Sequence, residues 1–271
     1  MTDNNRVLLL KPVLNILYKR YNDRKYISPD PLEFIYKYKS HSDREIVGLI
    51  ASSLAYGRVR QICTSVSIVL SKIHTPSEFL KNSSTRMIKN SFTDFKHRFT
   101  TGDDISILLL AIKRNIETYG SLENCFMSGY NPADPTIIPA LEEFTIKLAN
   151  SVRLDDFCLL PKPSKNSACK RMNLYLKWMV RKDNVDPGCW SNIPRSKLIV
   201  PLDTHMHKIC GRLGFTQRKS ADMKTALEIT GMFKQISQND PTRYDFALTR
   251  LGMQNTDEIN VFYSNCGINM G

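Results

Sequence analysis

LIVPLDTHMHKICGRLG, residues 198–214, is the stretch on which the reading of this chain turns. Pro201 stops any helix running through Val200 and Leu202, because its ring fixes φ and it has no N–H to donate. Asp203 then stands where a helix N-cap belongs, a short acceptor just before a new periodic segment. Met206, Ile209, Cys210 and Leu213 fall at i, i+3, i+4 and i+7, one apolar helical face. Gly214 is placed to stop that helix in the left-handed conformation. The stretch therefore predicts a buried extended lead-in, an acidic cap and a short amphipathic helix. A helix N-terminus favours negative charge, so Asp203 reads either as a cap alone or as a placed anion.

Helical patterning extends on both sides. Upstream, residues 168–181 read ACKRMNLYLKWMVR. Ala168, Met172, Tyr175, Leu176, Met179 and Val180 make an apolar face, and Lys170, Lys177 and Arg181 recur on another. Such a basic stripe suits phosphates or a solvated face. Residues 182–195 form a turn-rich hairpin around Pro187-Gly188, and residues 159–165 are the clearest linker. Downstream, Ser220 is expected to cap a helix through Ile236, and Asp240-Pro241 to start another. The tail after Gly252 is polar and expected to be only partly ordered.

The N-terminal half continues the pattern. Residues 6–21 read as an amphipathic helix, and Pro31 starts a short one through Tyr38. Residues 42–45 and 75–78 look like capping boxes. The first opens a nearly all-apolar helix that ends at Tyr56-Gly57-Arg58, after which a helical pattern resumes. Residues 81–98 are basic, with Phe92, Phe95 and Phe99 spaced along one helical face. Asp103-Asp104 precedes a strong helix closed by Gly120, and Asp134-Pro135 opens a helix through Asn150. No repeat and no alternating strand stands out. The expected fold is all-α, one unit over residues 1–271 made of two packed subdomains: a helical one over 42–160 and a hairpin-containing one over 161–252.

The chain has 271 residues, 42% of them hydrophobic, enough for a sizeable core. Its net charge of +12, from 38 basic and 26 acidic residues, favours a polyanionic partner, nucleic acid before a membrane surface. The seven cysteines are odd in number and form no CxxC, which argues against a disulfide framework or a zinc ribbon. No apolar run reaches membrane length, and residues 7–10 are too short for a signal peptide. A cytoplasmic monomer with reduced thiols and no membrane association is expected.

Pro-Leu-Asp-Thr-His-Met at 201–206, followed by Arg212-Leu213-Gly214, resembles the segment carrying the catalytic Asp in the helix-hairpin-helix DNA glycosylase superfamily. That segment reads Pro-Val-Asp-Thr-His-Val and closes its helix with Arg-Leu-Gly; seven positions are identical here. More narrowly, the chain looks like a bacterial branch close to the archaeal 8-oxoguanine glycosylases. The resemblance covers residues 168–252 well and the N-terminal half only by helical pattern. It implies a glycosylase-type arrangement of two helical subdomains with the cleft between them, double-stranded DNA containing a damaged base as partner, and no cofactor. The superfamily's four-cysteine iron–sulfur loop is not expected, because only Cys266 lies near the C-terminus.

The resemblance also implies a Lys–Asp pair. A lysine attacks the anomeric carbon and forms a Schiff base, while the carboxylate stabilises the cationic sugar. The usual Leu-Pro-Gly-Val-Gly hairpin is absent here. Lys182 lies near the ordinary interval of about a score of residues, and Lys170 fits the longer interval of the archaeal branch, 33 residues before Asp203. Lys170 also has apolar helical neighbours that would desolvate it; it is the preferred nucleophile, with Lys182 the alternative. Arg58, Arg171, Lys177, Arg181 and Lys182 are candidate DNA contacts. Ser53, Tyr56, Trp178 and Trp190 are candidates for holding an extruded base, and Phe144 and Tyr175 could stack on it.

Asp203, His205 and His207 also form D-x-H-x-H, which invites a metal. On a helix, however, i+2 points about 200° away from i, so the three cannot share one ion without a strand or loop. The expected activity is a DNA glycosylase and AP lyase acting on an oxidised purine, 8-oxoguanine first. The rivals are a DNA-binding protein that kept the fold without the chemistry, and a metal-dependent hydrolase.

Overall fold

The computed structural model describes residues 3–253 and 256–268, with side chains from residue 8 onward. The ends of the expected 1–271 unit, and residues 254 and 255 of its tail, lie outside the described residues. Among the described residues the chain is all-α apart from one two-stranded hairpin. Helix α1 (Asp3–Tyr21) leads into a 3-10 turn over Pro31–Lys37, capped by Asp30, which accepts from Leu32 N at 3.0 Å. Then come α2 (His41–Ser53), α3 (Val59–Ile73), α4 (Pro76–Asn82) and α5 (Thr85–Ser91). The hairpin pairs β1 (Lys96–His97) with β2 (Thr100–Thr101), antiparallel. Next are α6 (Gly102–Tyr119), α7 (Leu122–Met127) and α8 (Ile138–Ser151). The remainder holds α9 (Lys170–Val180), α10 (Thr204–Arg212), α11 (Met223–Ile236), α12 (Asp245–Gly252) and α13 (Thr256–Asn265).

Helices α2 and α9, both buried along most of their length, pack against each other at the centre. A Cβ on Gly48 would sit 2.8 Å from Met179 Cε and 3.3 Å from the Tyr175 ring, so glycine lets the two helices approach without displacing the Met179 methyl. This packing sets the N-terminus of α9 beside the turn that joins α2 to α3. Helix α1 does not stay with its sequence neighbours. It packs on α11 and α12, with Tyr18 edge-on to Tyr244 at 6.3 Å.

Several local expectations give way to tertiary contacts. Helix α2 starts at the Ser40 cap, not at Ser42, because Glu45 turns inward and accepts from Glu123 N (2.8 Å) and Trp190 Nε1 (2.6 Å). Thr75 makes no side-chain cap, and α11 is capped by Asp222 instead of Ser220. The basic helix expected over 81–98 breaks after α5. Phe92 and Phe95 turn into the core, while Phe99 is carried out on the hairpin. The polar tail forms α13, which buries Phe262 and Tyr263.

Candidate functional site

Both residues singled out for chemistry stand at helix N-termini, and both face one cleft of about 860 Å³. Asp203 caps α10 as its spacing requires, with Oδ1 accepting from Met206 N at 2.9 Å. The helix behind it buries Met206, Ile209, Cys210 and Leu213, and Gly214 closes it at φ 68°. Lys170 is the first residue of α9, following Cys169 in the left-handed conformation. Its ammonium donates to the Ala55 carbonyl at 3.3 Å, and no described carboxylate pairs with it. The third wall is the α2–α3 turn, with Tyr56 and the exposed Arg58; α12 contributes Asp245, Phe246 and Thr249.

Lys177 and Arg181 are not DNA contacts. Lys177 reaches the bottom of the cleft only 1% exposed, held between Asp245 Oδ2 (2.8 Å) and Asp186 Oδ1 (3.3 Å). Arg181 is buried among Asp183, Asp186 and Asp240. Burial works against the Lys177 ammonium, but Asp186 and Asp245 outweigh it and lift its pKa above the ordinary lysine value. Lys177 is thus locked as a cation. Burial in turn raises the carboxyl pKa of Asp30 and of Asp186; Asp30 pairs with Arg250 at 2.6 Å on the far wall. The expected stripe is a buried ion network beneath the cleft.

Of the aromatic candidates, Tyr56 and Trp178 line the cleft and Trp190 does not. Trp190 is core, bonded to Glu45 and packed against Phe126 and Tyr175. Phe144 and Tyr175 stack on each other in that core at 6.3 Å. Ser53 is fully buried, and its hydroxyl has no hydrogen-bond partner among the described residues. Arg171 lines the cleft, but its guanidinium donates to the Ser53 and Cys158 carbonyls and lies 5.3 Å from the Tyr56 ring centre. Its work is to brace the wall. Lys182 is exposed on the turn after α9, away from the cleft.

Asp30, Asp245, Phe246 and Thr249 went unread in the sequence. Asp30 sits in a proline-rich turn, and the α12 residues carry no motif; only the packing brings them together. Asp203, His205 and His207 do not converge on a metal: His207 Nε2 is taken up by the Arg218 carbonyl at 2.8 Å. Among the described residues, the group spaced for a cation is His41, Glu45 and Glu123, on the other side of α2. There Glu45 is already engaged with Glu123 N and Trp190.

The chain belongs to the family described as Protein of unknown function (DUF2400), which matches residues 30–254. That span includes every cleft residue from Asp30 to Met253. No curated protein and no solved structure matches.

Proposed function

We propose that the cleft is the active site of a helix-hairpin-helix-type DNA glycosylase with AP lyase activity, acting on an oxidised purine in duplex DNA. One observation carries the reading: Lys170 and Asp203, 33 residues apart in sequence, stand at the N-termini of α9 and α10 and line the same cleft. The alternative nucleophile, Lys182, lies outside it, and Lys177 is engaged by two carboxylates. Lys170 is the lysine that reaches the cleft without such a partner.

In this reading an extruded nucleotide enters between Tyr56 and α12. The amine of Lys170, acting as free base, bonds to C1′ of the sugar. The bond from C1′ to the base breaks, and its electron pair leaves with the base, which takes a proton. Asp203 faces the sugar and offsets the positive charge that builds on it. The C1′–O4′ bond then breaks, O4′ taking up the remaining amine proton, and the ring-opened adduct is an imine between C1′ and Lys170. Loss of a C2′ proton then expels the 3′-phosphate and cuts the strand, and water releases the lysine. The cleft holds Asp30, Asp245 and Lys177 at its walls and floor. Asp30, the most exposed of the three, is the acceptor best placed to meet a donor on the base edge.

The test is borohydride trapping on duplexes that each carry one lesion. A covalent adduct with strand cleavage supports the reading. Salt-sensitive binding with no adduct would leave a DNA-binding protein, and activity lost to a chelator would favour a metal hydrolase.

A further inference from the structure

The hairpin between α5 and α6 exposes an aromatic ring beside the cleft. Its two-residue loop is Arg98-Phe99, with His97 paired to Thr100. Phe99 is 85% exposed, the highest value for a large hydrophobic side chain among the described residues. Leaving such a ring in water forfeits the favourable burial that a core would give. The loop is also strained. Arg98 has φ 54°, a conformation that hairpins usually assign to glycine.

This tip is held rigidly on the cleft wall. The Tyr56 hydroxyl donates to the His97 carbonyl (3.0 Å) and lies 2.6 Å from Thr100 Oγ1. His97 is fully buried, and burial lowers its pKa. A neutral ring can donate from Nε2 to the Tyr56 carbonyl (3.1 Å) and accept at Nδ1 from Ser65 (2.9 Å). The Arg98 side chain lies over Gly57, where a Cβ would come within 2.9 Å of it. The Arg98 guanidinium lies 5.7 Å from the Phe99 ring centre, and Lys96 on β1 and Arg58 and Arg60 just after the Tyr56-Gly57 turn are exposed. A rigid, solvent-facing ring with an arginine against it suits neither a core nor a plain solvated turn.

We infer that Arg98 and Phe99 form a wedge that enters duplex DNA next to the cleft, the ring filling the gap left by the extruded nucleotide and Arg98 holding a flanking phosphate. This rests on the proposed glycosylase reading. Apolar side chains on such tips unstack base steps and stabilise an extruded base, and the hydrogen bonds from Tyr56 fix the spacing between tip and cleft.

The test does not depend on catalysis. A duplex with a tetrahydrofuran abasic analogue opposite 2-aminopurine is titrated with the full chain, wild type and variants. Stacking of Phe99 on the orphaned 2-aminopurine quenches its fluorescence. Phe99→Ala should lose the quench and bind this duplex about tenfold more weakly, and Phe99→Trp should restore both. Affinity for undamaged duplex should change by less than about twofold, since it rests on phosphate contacts. A quench equal in wild type and Phe99→Ala, or absent in both, overturns the wedge. Borohydride trapping on a single-stranded abasic oligonucleotide, where no gap needs filling, reports separately on the glycosylase reading. An adduct formed equally by wild type and Phe99→Ala keeps that reading even if the wedge fails. No adduct with either protein sinks it, while the fluorescence still decides insertion.

Discussion

The two ends of α9 carry the same kind of residue to opposite ends. Lys170 opens the helix on the cleft, bonded to one carbonyl; Lys177, two turns later, is clamped by Asp186 and Asp245. Both are lysines on one helix, and both touch the same cleft. What separates them is the company supplied by other segments: no described carboxylate pairs with Lys170, while the turn after α9 and helix α12 bring one each to Lys177. A lysine becomes a candidate nucleophile or a structural cation according to its partners, not its helical position.

The sharpest way to break that contrast is Lys170→Gln. It should abolish the borohydride adduct and strand cleavage, with little change in melting temperature. An adduct surviving in this variant would move the chemistry elsewhere. Asp203→Asn comes next. Asparagine still caps Met206, so the fold should hold, but base excision should fall by about 10²–10³ in single-turnover assays. Equal loss of stability and activity would reduce Asp203 to a cap.

Lys177→Met should act on stability instead. Removing the ammonium leaves Asp186 and Asp245 buried without their cation, at a cost of about 3–5 kcal/mol in urea unfolding. The pH dependence has a definite sign. Lys177 has its pKa raised on folding above the ordinary 10.5. Its stabilisation is therefore complete below the unfolded value and is lost as pH rises through the folded one. The gap between wild type and Lys177→Met should be flat from pH 7 to 9 and narrow above pH 10.5. The smallest effect belongs to Lys182→Gln. Trapping should be unchanged, and the slope of log affinity against log salt should fall by at most about one phosphate contact.

Local signals carried the α10 end of the site well. The Pro201 break, the Asp203 cap, the apolar face and Gly214 are all set by neighbours within a few residues, where periodicity and capping rules operate. Lys170 entered as a candidate through the interval to Asp203 that the resemblance implies, and it lines the same cleft as Asp203. The failures share one cause, partners distant in the chain. A stripe at Lys170, Lys177 and Arg181 reads as solvent-facing in any local window: Asp183 and Asp186 follow closely, but only the fold-back of their turn and the arrival of Asp240 and Asp245 some sixty residues later bury it. Glu45 matched a capping box, yet Trp190 and α7 claim it. Phe99 kept the spacing of Phe92 and Phe95 but not their fate, because the break after α5 changes the geometry without a proline or glycine to announce it.

The packing of α1 on α11 and α12 has a consequence for how the molecule comes into being. Protein synthesis proceeds from the N-terminus, so α1 leaves the ribosome long before the helices it rests on. Its apolar face has no seat until residues 223–252 have been made. The cleft waits equally long, since its walls run from Asp30 to Met253 and its floor needs Asp245 to hold Lys177. A nascent or truncated chain therefore has helices but no cleft. Closure across so many residues also makes for slow, late assembly, and Lys170 and Asp203 meet across a formed cavity only in a nearly finished chain.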